Sequence, residues 1–132
     1  MSFVATAKDF LEDQGDLSTN KYRGEMVETV QYLLDHAVGV RNAISTGKII
    51  DHLHSKGYAI SREAWQIDVL GKLREYGVFV ASSRGRSGMF LISNESDAMV
   101  AYNSIYNRIS VQQHRLNILE QLMKDEGWEI KK

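Results

Sequence analysis

Residues 77–92 read Gly-Val-Phe-Val-Ala-Ser-Ser-Arg-Gly-Arg-Ser-Gly-Met-Phe-Leu-Ile, and this stretch decides the fold. Two apolar runs, 78–81 and 89–92, flank a polar loop that contains two glycines and two arginines. Apolar runs of this length around a glycine-bearing loop predict a β-hairpin. The loop of that hairpin would present Arg84 and Arg86 to solvent.

The chain upstream of the hairpin predicts three helices. Apolar residues at helical spacing indicate a helix over 25–37. Helices over 46–56 and 62–76 each begin at a serine or threonine that can cap them, and each is followed by a glycine. Only residues 57–61 connect these two helices. So short a connection sets two helices at a steep angle, as in a helix-turn-helix.

Downstream of the hairpin the sequence predicts one long helix over 96–125, with Asn94 or Ser96 as its N-cap. Within this helix, mostly apolar residues recur at alternating spacings of three and four positions and form a heptad seam. Such a seam indicates a coiled coil and hence a homodimer. The alternative is a helix that packs on its own domain. The seam residues are Tyr102, Ile105, Ile109, Gln112, Leu116, Leu119 and Met123.

These elements predict a mainly α protein with a small β-hairpin, of the α+β class. We expect an N-terminal helix and linker over 1–24, a helix-and-hairpin domain over 25–93, and a C-terminal dimerisation helix over 94–132. The N-terminal helix, over 1–13, would pack on the domain or add to the dimer contact.

Composition narrows the class of protein. A chain of 132 residues fits one domain with an appended element. It contains no cysteine, which excludes disulfides and thiolate metal sites. No apolar run approaches the roughly 18 residues that a membrane span needs, and the first residues do not form a secretory signal. We therefore expect a cytoplasmic protein with no membrane partner.

The net charge of −1 is unevenly distributed along the chain. Residues 39–92 contain eight lysines and arginines against four acidic residues, a net charge of +4, whereas residues 1–38 carry −4. A basic segment that includes the hairpin favours contact with a nucleic-acid backbone. A solvated basic surface is the alternative.

The sequence offers little for catalysis or metal binding. In Asp51-His52-Leu53-His54 the two histidines point apart on a helix, and only Asp51 and His54 share a face. That pair falls short of the three protein ligands usual for catalytic zinc. Nucleophile elbows, phosphate-binding glycine loops and paired-carboxylate motifs are missing from the sequence. We expect no metal, no cofactor and no enzymatic activity.

The three helices and the hairpin together resemble a winged helix-turn-helix domain. Residues 72–78, Lys-Leu-Arg-Glu-Tyr-Gly-Val, and 88–92, Gly-Met-Phe-Leu-Ile, are similar to small helix-turn-helix proteins of bacteria and phages. In those proteins the recognition helix ends in leucine-arginine-glutamate-x-glycine and the wing ends in glycine-aromatic-leucine. The replication terminator and PadR-like regulators are similar in architecture.

The resemblance implies a homodimer that binds duplex DNA in transcriptional or replication control, in a phage or another mobile element. Helix 62–76 would lie in the groove, and the wing, 84–88, would contact the backbone. The alternative is a winged helix used as a protein-binding module, for example a phage protein that engages a host factor. An outer face with Trp65, Asp68 and Tyr76, and a net charge near zero, favour that alternative.

The outer face of helix 62–76 follows from taking Leu70 as the inward direction at about 100° per residue. Gln66, Ile67, Leu73 and Arg74 then lie on or beside the buried side. Trp65, Asp68 and Lys72 point outwards, with Arg62 at the flank. Trp65 would be unusual for a groove reader, and packing on a neighbouring element is its alternative. Asp68 could accept a hydrogen bond from a cytosine amino group.

Helix N-termini and the hairpin loop supply the other candidate DNA contacts. The free amides and partial positive charge of a helix N-terminus suit a phosphate. Loop serines can donate to phosphate oxygens, and loop arginines can contact the backbone or an adjacent minor groove. The candidate DNA contacts are Ser45, Thr46, Lys48, Ser61, Arg62, Trp65, Gln66, Asp68, Lys72, Ser83, Arg84, Arg86 and Ser87.

Overall fold

The computed structural model describes residues 2–12, 20–83 and 88–130. Within them the chain forms mostly helix and one two-stranded antiparallel hairpin, which confirms the predicted α+β class. In chain order the elements are α1 Phe3–Glu12, α2 Arg23–His36, a 3₁₀ turn Val40–Asn42, α3 Thr46–Ser55, α4 in the consecutive segments Arg62–Ala64, Trp65–Leu70 and Gly71–Glu75, β1 Val80–Ser83, β2 Gly88–Leu91 and α5 Glu95–Asp125.

Serine caps and glycine stops set the ends of α3 and α4 as the sequence predicts. The Ser45 hydroxyl accepts the Lys48 amide at 3.2 Å, and the Ser61 hydroxyl accepts the Ala64 amide at 3.1 Å. Gly57 and Gly77 follow the two helices with φ of +92° and +88°. Residues with side chains rarely adopt that backbone conformation, so glycine ends each helix there.

The hairpin strands are displaced from their predicted positions. Val80 of β1 lies opposite Leu91 of β2, and Ser83 lies opposite Gly88. The predicted first strand began at Val78, which was wrong because the Val78 amide still donates to the Leu73 carbonyl at 2.9 Å. That hydrogen bond closes the C-terminus of α4, so β1 starts two residues later than predicted.

The second strand of the hairpin is also paired along its outer edge. Ile44 and Met89 exchange backbone hydrogen bonds of 3.0 and 2.7 Å as an antiparallel bridge. The Leu91 carbonyl accepts a hydrogen bond from the Gly39 amide, and the Leu91 amide donates to the Ala37 carbonyl, both at 2.8 Å. The segment between α2 and α3 thus fixes the hairpin to the helices that precede it.

Buried side chains lie on both faces of the hairpin. Met89 and Leu91 belong to the main core, which α1, α2, α3 and α4 complete. Ala81 and Phe90 belong to a smaller cluster with Ala101 near the start of α5. Burial on both faces explains why β2 reads as a continuous apolar run rather than as an alternating one.

A reciprocal cap begins α5. The Asn94 side chain accepts the Asp97 amide at 2.8 Å, and the Asp97 carboxylate accepts the Ser93 amide at 3.0 Å and the Ser93 hydroxyl at 2.6 Å. The Val40 amide also donates to Asp97, at 3.3 Å. Burial raises the pKa of the Asp97 carboxyl, but the hydrogen bonds from Ser93 and Val40 outweigh it and hold the pKa below its ordinary value.

The chain divides into two units, Met1–Ala101 and Tyr102–Lys132. The first contains the core, the hairpin and the start of α5. The second contains the rest of α5 and a closing turn, in which the Trp128 amide donates to the Met123 carbonyl at 2.9 Å. No helix within the described ranges is long and apolar enough to cross a membrane.

Candidate nucleic-acid interface

The first turns of α3 and α4 lie side by side. A methyl group built on Gly47 would lie 3.7 Å from the Arg62 guanidinium, so the Arg62 side chain reaches the start of α3. Thr46 begins α3 and is half-buried, whereas Lys48 is exposed. In the described part of the chain neither Lys48 nor Arg62 forms an ion pair. Two cations beside a helix N-terminus can hold a phosphate group.

The serine candidates in this region already have roles within the fold. Both Ser45 and Ser61 use their hydroxyl oxygens as helix caps. A hydroxyl that accepts a hydrogen bond from an amide can still donate its own hydrogen to a phosphate oxygen. Capping and a phosphate contact are therefore compatible. The structure therefore brings Ser45, Thr46, Lys48, Ser61 and Arg62 into one region of the surface.

The predicted outward position of Trp65 is wrong. Its side chain is 0% exposed, and its indole N–H donates to the buried Thr29 hydroxyl of α2 at 3.1 Å. The inward stripe of α4 is Trp65, Val69, Leu70 and Leu73, so Leu70 lies at the edge of the stripe rather than at its centre. Of the two positions weighed for Trp65, packing on a neighbouring element is the one observed.

The same error of helical phase affects the other α4 residues. Gln66, Ile67 and Arg74 were expected on or beside the buried side, but all three are exposed, Ile67 at 64%. Asp68 is only half-buried and Lys72 is exposed, next to Glu75 at 3.1 Å. An exposed lysine–glutamate pair of this kind contributes little stability, so Lys72 can exchange Glu75 for another partner.

Arg74 has a role that sequence reasoning missed. Its guanidinium donates to the Val80 carbonyl at 3.2 Å and lies over the Phe79 ring, 5.3 Å from the centroid. The contact joins the last turn of α4 to β1. The leucine-arginine-glutamate phrase contains this arginine, but nothing in the sequence alone indicates what it contacts.

The predicted wing residues fall largely outside the described residues. Ser83 is the last residue of β1, and its backbone lies opposite Gly88. Arg84, Arg86 and Ser87 are not among the described residues. Their contact with a nucleic-acid backbone stays a prediction from the sequence.

The histidines of α3 contact other parts of the fold. His52 lies 3.3 Å from the Glu28 carboxylate and stacks on Tyr32, with ring centroids 4.2 Å apart. His54 contacts the Ile60 carbonyl at 2.8 Å, and Asp51 is exposed. Within the described ranges no three histidine or carboxylate side chains are grouped so that they could hold a metal ion.

The predicted dimer seam is exposed along the second unit. Every seam residue is exposed except Met123, which is half-buried. Tyr102 also stacks on Tyr106, one turn along, with ring centroids 6.1 Å apart. The heptad count overlooked a second exposed apolar stripe, Val111, Ile118 and Leu122, which lies about 120° around the axis of α5 from the seam. The spacings of seven and four in that stripe could have revealed it.

Comparison with known proteins gives a distant relative. The chain is 25% identical over 116 residues to a protein of Methanocaldococcus jannaschii that is named as a candidate control protein, C.MjaVP. The match covers 86% of this chain and 71% of that protein. No family model matches the chain, and no solved structure matches it.

Proposed function

We propose that this chain is a winged helix-turn-helix regulator that binds duplex DNA as a homodimer. The observation that carries the proposal is the meeting of the α3 and α4 first turns, with Lys48 and Arg62 exposed beside Gly47. In a helix-turn-helix the second helix enters the major groove while the first crosses the backbone. Here α4 would be the second helix and α3 the first.

The hairpin supports the winged form of this domain. It follows α4 directly, and Arg74 joins the end of α4 to β1. The Ile44–Met89 bridge pairs the segment before α3 with the edge of the hairpin, in the place of a third strand. The order helix, bridged segment, helix, helix and hairpin matches that of a winged helix. Its loop, with Arg84 and Arg86, would contact the DNA backbone.

The exposed seam of α5 supports the homodimer. Apolar residues repeated every three and four positions stay accessible in the protomer, and a second copy of the same helix would bury them. The relative named as a control protein supports a regulatory role, which we place in transcriptional or replication control. Two winged helices joined by α5 would bind a site with two half-sites.

Fluorescence anisotropy with a labelled random-sequence duplex tests DNA binding. Because phosphate contacts release counterions, the affinity of the parent protein should fall steeply between about 50 and 200 mM salt. Replacing Lys48 and Arg62 together by alanine removes two contacts from each protomer of the dimer, so it should weaken binding and lower the salt slope by about 4. Lys8→Ala on α1 is the matched control, since it removes an exposed lysine elsewhere and should leave both quantities unchanged.

Two results would overturn the proposal. One is a parent protein with no affinity for duplex DNA at low salt. The other is a double variant whose affinity and salt slope equal those of the parent.

Protein recognition by the same domain is the second candidate function. Its support is the mixed charge of α4, which contains three basic and three acidic residues. Two features that favoured it are weaker in the structure, because Trp65 is buried and Tyr76 packs against Phe10 with ring centroids 6.1 Å apart. A parent protein without salt-dependent DNA affinity would favour this candidate.

A further inference from the structure

Ile67 and the half-buried Gly71 lie one turn apart on the outward side of α4, and we call this pair the ridge. Ile67 is 64% exposed, and it lies two residues from both Trp65 and Val69, which are fully buried. Residues two apart on a helix point to roughly opposite sides, so Ile67 faces away from the core. Gly71 follows Ile67 by four residues and therefore lies on the same face, one turn further along.

The fold does not require a glycine at position 71. Its φ and ψ of −59° and −45° are those of an ordinary right-handed helix, which every residue adopts. A methyl group built on Gly71 would meet nothing within 4 Å. Glycine is one of the poorest residues for a helix interior, and alanine is the best. The protein thus keeps an unfavourable residue at a position where alanine would fit, directly beside an exposed isoleucine.

We propose that the Ile67–Gly71 ridge is the base-reading surface of this protein, with Ile67 packed against the C5-methyl group of a thymine. The proposal rests on the DNA-binding function proposed above. In the major groove the thymine methyl is the one apolar group on a base edge, and small apolar side chains recognise it. The missing side chain at Gly71 would let the base edges approach the helix backbone closely.

The charges around the ridge favour base edges over phosphates. Glu63 lies one turn before Ile67, and Glu75, which pairs with Lys72 at 3.1 Å, lies one turn after Gly71, so both ends of the ridge carry an acidic residue. Carboxylates repel phosphate, but they accept hydrogen bonds from cytosine amino groups in the major groove. The phosphates would instead be held by Lys48 and Arg62, at the start of α3 and α4.

The experiment begins with selection of a preferred duplex from a random pool by the parent protein. Affinities are then measured for that duplex and for copies in which single thymines are replaced by deoxyuridine, which lacks the methyl group. At the thymine that Ile67 contacts, deoxyuridine should weaken binding of the parent about fourfold. Ile67→Ala should weaken binding about tenfold, and its affinity should be the same for thymine and deoxyuridine at that position.

Gly71→Ala tests the close approach separately. A methyl group in open space should stabilise α4 and raise the Tm by about 2–5 °C. The same substitution should weaken binding to the selected duplex about tenfold, because the methyl group would stand between helix and base edges. A gain in Tm shows that the variant is folded, so its loss of affinity cannot come from unfolding. Gln121→Ala on α5 is the control and should bind as the parent does.

The outcomes separate this inference from the proposed function. If the parent protein binds no duplex, both the proposed DNA-binding function and the base-reading ridge are wrong. If the parent selects a duplex but Ile67→Ala and Gly71→Ala bind it with unchanged affinity, the ridge does not read bases, while DNA binding stands. A deoxyuridine effect that is equal in the parent and in Ile67→Ala would likewise overturn the contact between Ile67 and the thymine.

Discussion

Replacing Ile109 by glutamate tests whether the α5 seam joins two copies of the chain. Ile109 is 60% exposed in the protomer. Complete burial of such a side chain is worth about 1.5–3 kcal/mol, so covering its exposed part would contribute about 1–2 kcal/mol. A symmetric dimer contains two copies, and loss of both would cost about 2–4 kcal/mol. The dissociation constant should therefore rise by about thirtyfold to several hundredfold.

Repulsion between the two introduced carboxylates would increase this effect, because equivalent seam positions face each other in a parallel coiled coil. Sedimentation velocity or light scattering over a range of protein concentrations measures the shift from dimer to monomer. His114→Glu is the charge control. It lies at the outer position of the same heptad frame and should leave the dimer intact.

A matching substitution in the second apolar stripe of α5 can show that the seam is not the dimer contact. If Ile109→Glu remains dimeric while Ile118→Glu becomes monomeric, the seam is the wrong face. The stripe of Val111, Ile118 and Leu122 would then be the contact between copies. If the parent protein is monomeric at every concentration, neither stripe joins two chains, and the homodimer is wrong.

Three further predictions concern the stability of the first unit. Thr29→Val removes the acceptor of the buried Trp65 indole N–H and should lower the free energy of unfolding by about 1–3 kcal/mol in urea titrations; equal stability would contradict the hydrogen bond. Gly88→Ala puts a methyl group 2.6 Å from the Ala43 Cβ and should cost about 1–3 kcal/mol in thermal melts, with Ala43→Gly restoring most of it. The pKa of Asp97 is lowered in the fold, so its contribution is present above the ordinary aspartate pKa of about 4 and is lost as pH falls below it. Asp97→Asn should thus be less stable than the parent near neutral pH, and the difference in Tm should shrink towards pH 3.

Local signals in the sequence predicted the helices of this fold well. The Ser45 and Ser61 hydroxyls each accept a hydrogen bond from the amide three residues along the chain, and Gly57 and Gly77 have backbone angles that end a helix. Such contacts are decided within a few residues, so they can be read without knowing the rest of the molecule. The shift of β1 has a similar local cause, the hydrogen bond of Val78 that closes α4.

The face of α4 could not be predicted in the same way. Five apolar residues, Trp65, Ile67, Val69, Leu70 and Leu73, crowd this helix, and their spacing permits more than one inward direction. What decides between them is the Thr29 hydroxyl of α2, which accepts the Trp65 indole N–H from a position 36 residues away in sequence. Partners so distant leave no periodic signal near the helix. The π-helical turn Trp65–Leu70 alters the phase further.

The corrected face changes which residues of α4 are candidates for reading DNA. With Trp65 outward, a large aromatic ring would stand between the helix and the groove, and base reading would be hard to reconcile with the fold. With Trp65 anchored on Thr29 at one end and Arg74 on Val80 at the other, α4 is fixed at both ends. The exposed side chains left between these anchors are Gln66, Ile67 and Lys72, with the half-buried Gly71 one turn after Ile67. A rigid helix with so slight a ridge can enter a groove without first rearranging.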